Sequence, residues 1–424
     1  MNVTARTVHS LSTDPEYRVE VISDYDSLLG LRPVWDKLVE EAGVTHPFLS
    51  HEWVRTWWEC FGAGKELQIL VVKTGAEAVA IVPLMLSRAR IYGFRVRRLE
   101  FLHNDHTPRF DFILARRPEE ACRAIWNYLL AQGERWDLLE LHQLPAGSPT
   151  LEYLPQLALD GGYLVGFRHA EKSPYLRFRG EWGSYAKRLS YNHRANVRKG
   201  LNRLTRRGDV QLEVISGGER LVGALNDGLR IEAAAWKESA GTAMRSRPDV
   251  ERFYKMFAER AATALRLIFL TVDRTRIAFV YALCYRNKLY LLKAGYDPEY
   301  ARYSPYNLLC YLVLREGFEH GLDEYEFLGS DEAWKLDWTQ ETKPHHGLFV
   351  FPQGLRARFL YYTKFRLVPI LQRQRLYVRL RDAIFGRNRR AGGSALLVDR
   401  RNLAMAKSGR ESREPIAVRG ELRD

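Results

Sequence analysis

Two successive stretches of this chain carry the same order of apolar periodicities, and that repetition restricts the fold more than any other feature. In the first, Leu28, Leu31, Trp35, Leu38 and Val39 fall on one face of a helix over Tyr25–Ala42, and a second helix follows at His51–Cys60. The β runs LQILVVK and AVAIVPLMLS are joined by Thr74-Gly75-Ala76-Glu77, which is hairpin chemistry. A strand pair near Arg95–His103 and Phe110–Leu114, a helix over Pro118–Gln132 and the strand WDLLELH complete the unit. After a helix over Thr150–Gly161 and extended segments at Tyr163–Phe167 and 174–179, the order returns. Two basic helices and a strand at Val210–Ile215 lead to a long helix, Glu219–Glu238. The runs ALRLIFLTVD, RIAFVYALCYR and KLYLLKAGYD follow, then a helix over Pro305–His320 and the strands EYEFLG and GLFVFP. Both halves read helix, helix, hairpin, strand, helix, strand, with no residue-level identity between them. The fold class is α/β (α+β), with domains expected at 18–145 and 150–354, a basic aromatic helical extension at 355–385 and a disordered tail at 386–424.

Net charge, +14 overall, is unevenly placed. Residues 355–424 hold 18 Lys and Arg against 6 Asp and Glu, so the body before them is near neutral. Such a tail attracts anionic lipid, nucleic acid or acidic partners and says little about the chemistry of the body. The longest apolar runs are strand-length, far short of a membrane span, and no signal peptide is read at the N-terminus. Cys60, Cys122, Cys284 and Cys310 are scattered in apolar settings, as expected of buried thiols in a reducing, cytoplasmic compartment.

The segment Lys293-Ala-Gly-Tyr296-Asp297 through Gly329 is the most informative chemically. A strand ends at Tyr296-Asp297, a loop carrying Arg302 follows, and Ser304-Pro305 opens a helix as N-cap and first residue, with Asn307 in its first turn. A helix start offers free N–H groups and a positive dipole end to an anion. An ordinary capped helix after a strand accounts for the same pattern. Lys335 lies between Trp334 and Trp338: either the two indoles cap the sheet end and the lysine is solvated, or it is held firmly and aimed at a developing oxyanion. Glu232 and Trp236, followed by Lys237, fall at a spacing that puts the glutamate and the tryptophan on one helical face, as a surface acid beside a core aromatic would also do. Lys187–Arg207 holds eight basic residues and no acid. Val197, Leu201 and Leu204 form its buried stripe, and Arg194, Arg198, Lys199, Arg203, Arg206 and Arg207 face outward. That face is either simply solvated or a grip on a polyanion.

Taken together, Glu232…Trp236-Lys237, the GTA of 241–243, Lys293-Ala-Gly-Tyr-Asp297, Tyr303-Ser-Pro305, Gly321-Leu322, Phe327-Leu-Gly329 and Trp334-Lys335…Trp338 resemble the CelD/BcsL-type acetyltransferases of bacterial cellulose and exopolysaccharide clusters, relatives of the Fem-type peptidyltransferases in the GNAT superfamily. The resemblance spans about residues 20–352. It implies a tandem pair of GNAT-like folds with the active site in the cleft between them. It also implies acetyl-CoA as acyl donor, no metal, and Lys335 as the group that stabilises the reacting carbonyl. His106-Thr-Pro108-Arg-Phe-Asp111 is similar to the Fem stretch bearing an aspartate, which makes Asp111 a candidate base, with His103, Asp105 and His106 able to share the task. The other reading of those four residues is a metal site. Tyr306 departs from the Ser-Pro-Gly common in the family and puts a tight pyrophosphate cradle in question.

The expected function is therefore acetyl transfer to an amine or hydroxyl of a sugar precursor or exopolysaccharide intermediate. Tyr296, Asp297, Arg302, Ser304 and Asn307 would hold the donor, and Glu232, Trp236, Lys237, Lys293, Trp334, Arg194 and Arg198 the acceptor. One rival is a Fem-like transferase using aminoacyl-tRNA, which the basic helix, the basic tail and the imperfect donor loop favour. A second is a non-catalytic assembly factor held peripherally on the anionic inner face of the membrane by residues 355–385. Nothing in the pattern calls for DNA.

Overall fold

The hairpin predicted around Gly75 forms in the computed structural model, which describes residues 17–234, 244–261 and 263–373. Thr74 pairs with Glu77 across a two-residue turn in which Gly75 has φ +60. That hairpin joins β2 (Glu66–Thr74) to β3 (Glu77–Ile91), and β1 (Tyr17–Ile22) and β4 (Phe94–Phe101) flank the pair. The short β5 (Ile113–Leu114) and β6 (Leu138–Pro145) complete the strands of the first half. β7 (Leu164–Arg177) links to β8 (Val210–Ile215), β9 (Leu265–Val272), β10 (Thr275–Tyr285), β11 (Lys288–Tyr296), β12 (Glu324–Glu326) and β13 (Thr342–Phe351). All belong to one sheet in the order β1-β2-β3-β4-β6-β13-β7-β12-β11-β10-β9-β8, with β5 paired to β3 off this path.

Helices cover both faces. The first half contributes α1 (Tyr25–Gly30), α2 (Arg32–Glu41), α3 (His51–Phe61), α4 (Pro118–Ala131) and α5 (Pro149–Asp160). The second contributes α6 (Trp182–Arg188), α7 (Tyr191–Thr205), α8 (Leu221–Ala233), α9 (Pro248–Arg260), α10 (Pro305–Glu319), α11 (Ala333–Leu336) and α12 (Leu355–Tyr362). Beyond α12 a π-turn, Thr363–Leu367, runs into a last helix, Val368–Arg373. The chain forms one compact unit as far as Pro369, and of the second unit only the end of that helix is described.

Several expectations change. The helix over Tyr25–Ala42 is two helices that meet at Leu31, because Pro33 lies in the first turn of the second one. The segments near Arg95–His103 and Phe110–Leu114 do not pair with each other: each hydrogen-bonds to a different stretch of β3. The long helix runs only from Leu221 to Ala233, because Ala234 turns out of helical backbone at ψ 158, and residues 235–243 lie outside the described residues. α9 was not read from the sequence, although Pro248 at its start and the buried Val250, Phe253, Tyr254 and Phe257 at helical spacing are the signals for it. The last strand does not stay with the second half's own strands. β13 lies between β6 and β7, and β7 passes from β13 to β12 at Pro174–Tyr175, so the two halves share their central strands.

The core joins the halves as well. Trp53 of α3 meets Phe253 and Phe257 of α9 edge to face at 5.0 and 4.8 Å, and Arg260 ends α9 in a fork on Glu59. Aromatic burial of this kind stabilises by about 0.5–1.5 kcal/mol per pair beyond its area term. The cleft between the halves therefore has firmly set walls.

Candidate active site

The site begins where two parallel strands part. β11 and β12 pair over three residues only, Lys288 with Glu324 to Tyr290 with Glu326. β11 then stays on β10 as far as Tyr296, while the chain after β12 follows β7, with Phe327 N–H donating to Pro174 O at 3.0 Å. Leu292 is an extra residue in β11, opposite the step from Tyr281 to Ala282. Such bulges increase local twist and re-aim neighbouring side chains. Gly295 lies against α8 so closely that a Cβ there would meet the Glu232 Cα at 2.5 Å, which fixes Glu232 at the wall of the notch.

One lip leads to α10. Asp297 accepts from Glu299 N–H at 3.0 Å and turns the chain. Ser304 occupies the N-cap position but corrects the expectation: at φ +54 it is left-handed and its hydroxyl makes no capping bond. The first in-helix bond is Leu308 N–H to Ser304 O, so the N–H groups of Tyr306 and Asn307 have no helical acceptor and face the loop end. α7 crosses this loop with Gly200 almost touching Tyr303 O. Arg203 and Arg302 stack on Tyr303 at 5.5 and 4.8 Å, and Arg207 on Tyr300 at 5.0 Å. Arg194 and Arg198 are exposed on the same helix.

The other lip is Phe327-Leu328-Gly329. Leu328 and Gly329 both have positive φ, +56 and +61, and Lys335 holds them there. Its buried ammonium donates to Leu328 O at 2.8 Å and Ser330 O at 3.0 Å and pairs with Glu332 at 3.2 Å. The Trp334 ring packs on Tyr306 and Phe327 at 5.1 and 6.0 Å, so this lip rests on the first turn of α10.

A loop of the first half closes the cleft from above. His106 stacks on Phe61, and its Nδ1 lies 3.3 Å from the Tyr254 hydroxyl. The Lys293 ammonium lies 5.7 Å from the Tyr254 ring centroid, and Glu232 accepts from Met244 N–H at 2.9 Å. Burial, with Lys293 and Arg247 acting in the same direction, brings His106 down to about 3, so its imidazole is neutral. Lys65, Asn104, Asp105, His106, Arg247 and Asp249 line a cavity of about 420 Å³ between the halves.

Glu171 is a candidate that the sequence did not reveal. It sits in a bulge of β7, between the Lys172–Pro344 and His169–His346 pairs. Burial raises its carboxyl, Lys335 opposes that shift, and Asp105 and Glu332 reinforce it. This carboxyl thus lies within electrostatic reach of Lys335 in one lip and of Asp105 in the loop that carries His106.

Asp111 is elsewhere. Its carboxylate accepts from Thr150 Oγ1 at 2.6 Å and Phe112 N–H at 2.8 Å, at the start of α5, and burial brings it up to about 6. His103 stacks on His142, so the four residues read as an alternative metal site do not converge. Among the described residues no three His, Cys, Asp or Glu are grouped to hold a metal ion. Trp236 and Lys237 lie outside the described residues.

The first half repeats the notch but fills it. β4 and β6 also pair in parallel over three residues, Arg98 with Leu138 to Glu100 with Glu140. Beyond them Phe110 N–H bonds to Gln143 O at 3.1 Å, and the Phe110 and Phe112 rings pack on Phe101. The helix that follows, α4, places Glu119 and Glu120 in its first turn, which repels an anion.

Residues 191–336 match the family described as "Acetyltransferase (GNAT) domain". No curated protein matches the chain. Among solved structures, "Crystal structure of FemX" superposes with TM-score 0.51 at 12% identity, covering 81% of this chain and 98% of that one, which is a likeness of fold. L-PGS from Bacillus licheniformis gives TM-score 0.46 at 13% identity, over 81% of this chain and 96% of its own. The tandem GNAT protein of the clavulanic acid biosynthesis pathway gives 0.46 at 13%, over 80% and 100%. The notch, the helix start beneath it and the family match from α7 to α11 agree, and the chain is an acyltransferase of the GNAT type.

Proposed function

We propose that the chain transfers an acetyl group from acetyl-CoA to an amine or hydroxyl of a sugar precursor or exopolysaccharide intermediate. The observation that carries this reading is the parting of β11 and β12 directly above the uncapped start of α10. The N–H groups of Tyr306 and Asn307, with Arg302 beside them, would hold the donor's pyrophosphate. Bound there, acetyl-CoA supplies an activated acyl carbon and a thiol leaving group. The acceptor enters from the cavity under Asn104–His106, where Lys65 and Arg247 face Asp105 and Asp249, a mixed lining suited to a small polar molecule. Glu171 takes the acceptor's proton, and neutral His106 and Lys293 orient the nucleophile. Lys335 keeps Leu328 and Gly329 in the conformation that shapes the second lip, and charge on the acyl oxygen is met by backbone N–H groups of the notch. In this scheme Asp111 is a structural residue of the first half.

The exposed arginines of α7 favour a second reading, in which the donor is an aminoacyl-tRNA. Thiol release from acetyl-CoA in the presence of amino sugars and sugar alcohols tests the first. If activity appears only with charged tRNA, and falls steeply with salt, the second holds.

A further inference from the structure

α12 and the turn after it bury one side and leave the other uncovered. Ala357 and Leu360 pack on the sheet, Phe365 lies over Gly166, and the Lys364 ammonium sits 3.9 Å from the Phe349 ring centroid. On the opposite side Leu355, Phe359 and Tyr362 follow one another at helical spacing. The π-turn Thr363–Leu367 adds a residue to the turn, which keeps Leu367 in line with Tyr362. The β3–β4 hairpin tip extends this stripe: the Phe94 ring meets Phe359 at 5.4 Å, with Tyr92 two residues before it. These six side chains are between 40% and 86% exposed.

Charge surrounds them. Arg90 is directly opposite Arg95 on the strands behind the tip, and Arg88 is opposite Arg97. Like charges facing each other across a hairpin are destabilising unless an anion relieves them. Asp137 serves Arg97 and Arg356. Arg88, Arg90, Arg95, Arg358 and Arg366 are exposed and make no ion pair among the described residues.

We infer that this face, the hairpin tip together with the outer side of α12, docks on an anionic lipid bilayer. Aromatic and aliphatic side chains at the headgroup boundary, flanked by arginines, are what such an interface takes up. None of these residues belongs to the cleft, so the inference stands whether or not the acetyl-transfer reading does.

Flotation of the intact chain with phosphatidylcholine vesicles, with and without phosphatidylglycerol, is the test. The wild type should float only with the anionic vesicles. Phe359→Glu/Tyr362→Glu and, separately, Arg90→Glu/Arg95→Glu should each lower the bound fraction by ~10-fold at unchanged melting temperature. Both doubles floating like the wild type would place lipid binding elsewhere and overturn the inference. So would absence of flotation, or a concentration-dependent dimer that Phe359→Glu abolishes, which would make the face a contact between copies.

Discussion

Arg109, from the loop that fills the first half's notch, forks onto both carboxylate oxygens of Glu326 at the end of β12, at 3.3 and 3.2 Å, with both side chains buried. Burial opposes ionisation of Glu326, but Arg109 and Lys343 outweigh it and hold the carboxyl below its ordinary range. Arg109 also donates to His345 at 3.0 Å. The filled notch of one half thus braces the strand that forms the open notch of the other.

Removing one member of a buried pair leaves the other charge uncompensated, at a cost of about 3–5 kcal/mol. Arg109→Met should therefore lower stability by about 3 kcal/mol, the smaller value because Lys343 stays on Glu326. Adding Glu326→Met should recover at least half of that loss. Urea unfolding measures both, and equal losses in the single and double variants would show that the pair does not brace the sheet.

Lys335 is predicted to act through the lip it holds. Lys335→Met deletes two bonds from a buried ammonium to Leu328 O and Ser330 O and should destabilise by about 2–4 kcal/mol. Turnover should fall by ~100-fold, because the backbone donors of the lip lose their aim. Steady-state kinetics alongside thermal melting checks this, and a loss of only a few-fold would remove the lip from the mechanism.

Glu171→Gln should lower turnover by ~100-fold with little change in melting temperature. A base must be ionised, and burial raises this carboxyl against the pull of Lys335. Activity should therefore rise with pH through a value above the ordinary glutamate range, and the variant should lose that limb. An unaltered acid limb in the variant would take Glu171 out of the mechanism.

Asp111 predicts a stability effect instead. Its carboxyl stands at about 6 in the native chain against an ordinary 3.8. The native state thus keeps a proton that the unfolded chain releases, so this contribution is full below the ordinary value and is lost as pH rises through about 6. That difference corresponds to about 3 kcal/mol. Asp111→Asn should gain stability relative to the wild type between pH 4 and pH 7, and denaturant midpoints across that range would show it. A difference between the two proteins that is independent of pH would contradict this role.

Much of the architecture was legible because it rests on local chemistry. Gly75 in a two-residue turn, Pro118 and Pro305 in first helical turns, and the long apolar runs of β9 to β11 each fix an element within a few residues. The exchange of β13 into the first half was not legible, since GLFVFP is apolar enough to lie between any two strands. The site divides in the same way. Trp334-Lys335 and the start of α10 were found because their residue types are unusual at those positions. Glu171 was not, because its placement depends on a bulge between two strands distant in sequence, and RHAEKS carries no periodic signal. Asp111 resembled a catalytic base in sequence, but only the fold reveals that Thr150 and Phe112 both donate to its Oδ1.

The most direct measurement is calorimetric titration of the intact chain with acetyl-CoA. One site per chain is predicted, weakened by ~10-fold in Asn307→Asp, which puts a negative charge where the helix start receives an anion. Two equivalent sites, no binding, or an affinity indifferent to that substitution would contradict a donor seated between β11 and β12.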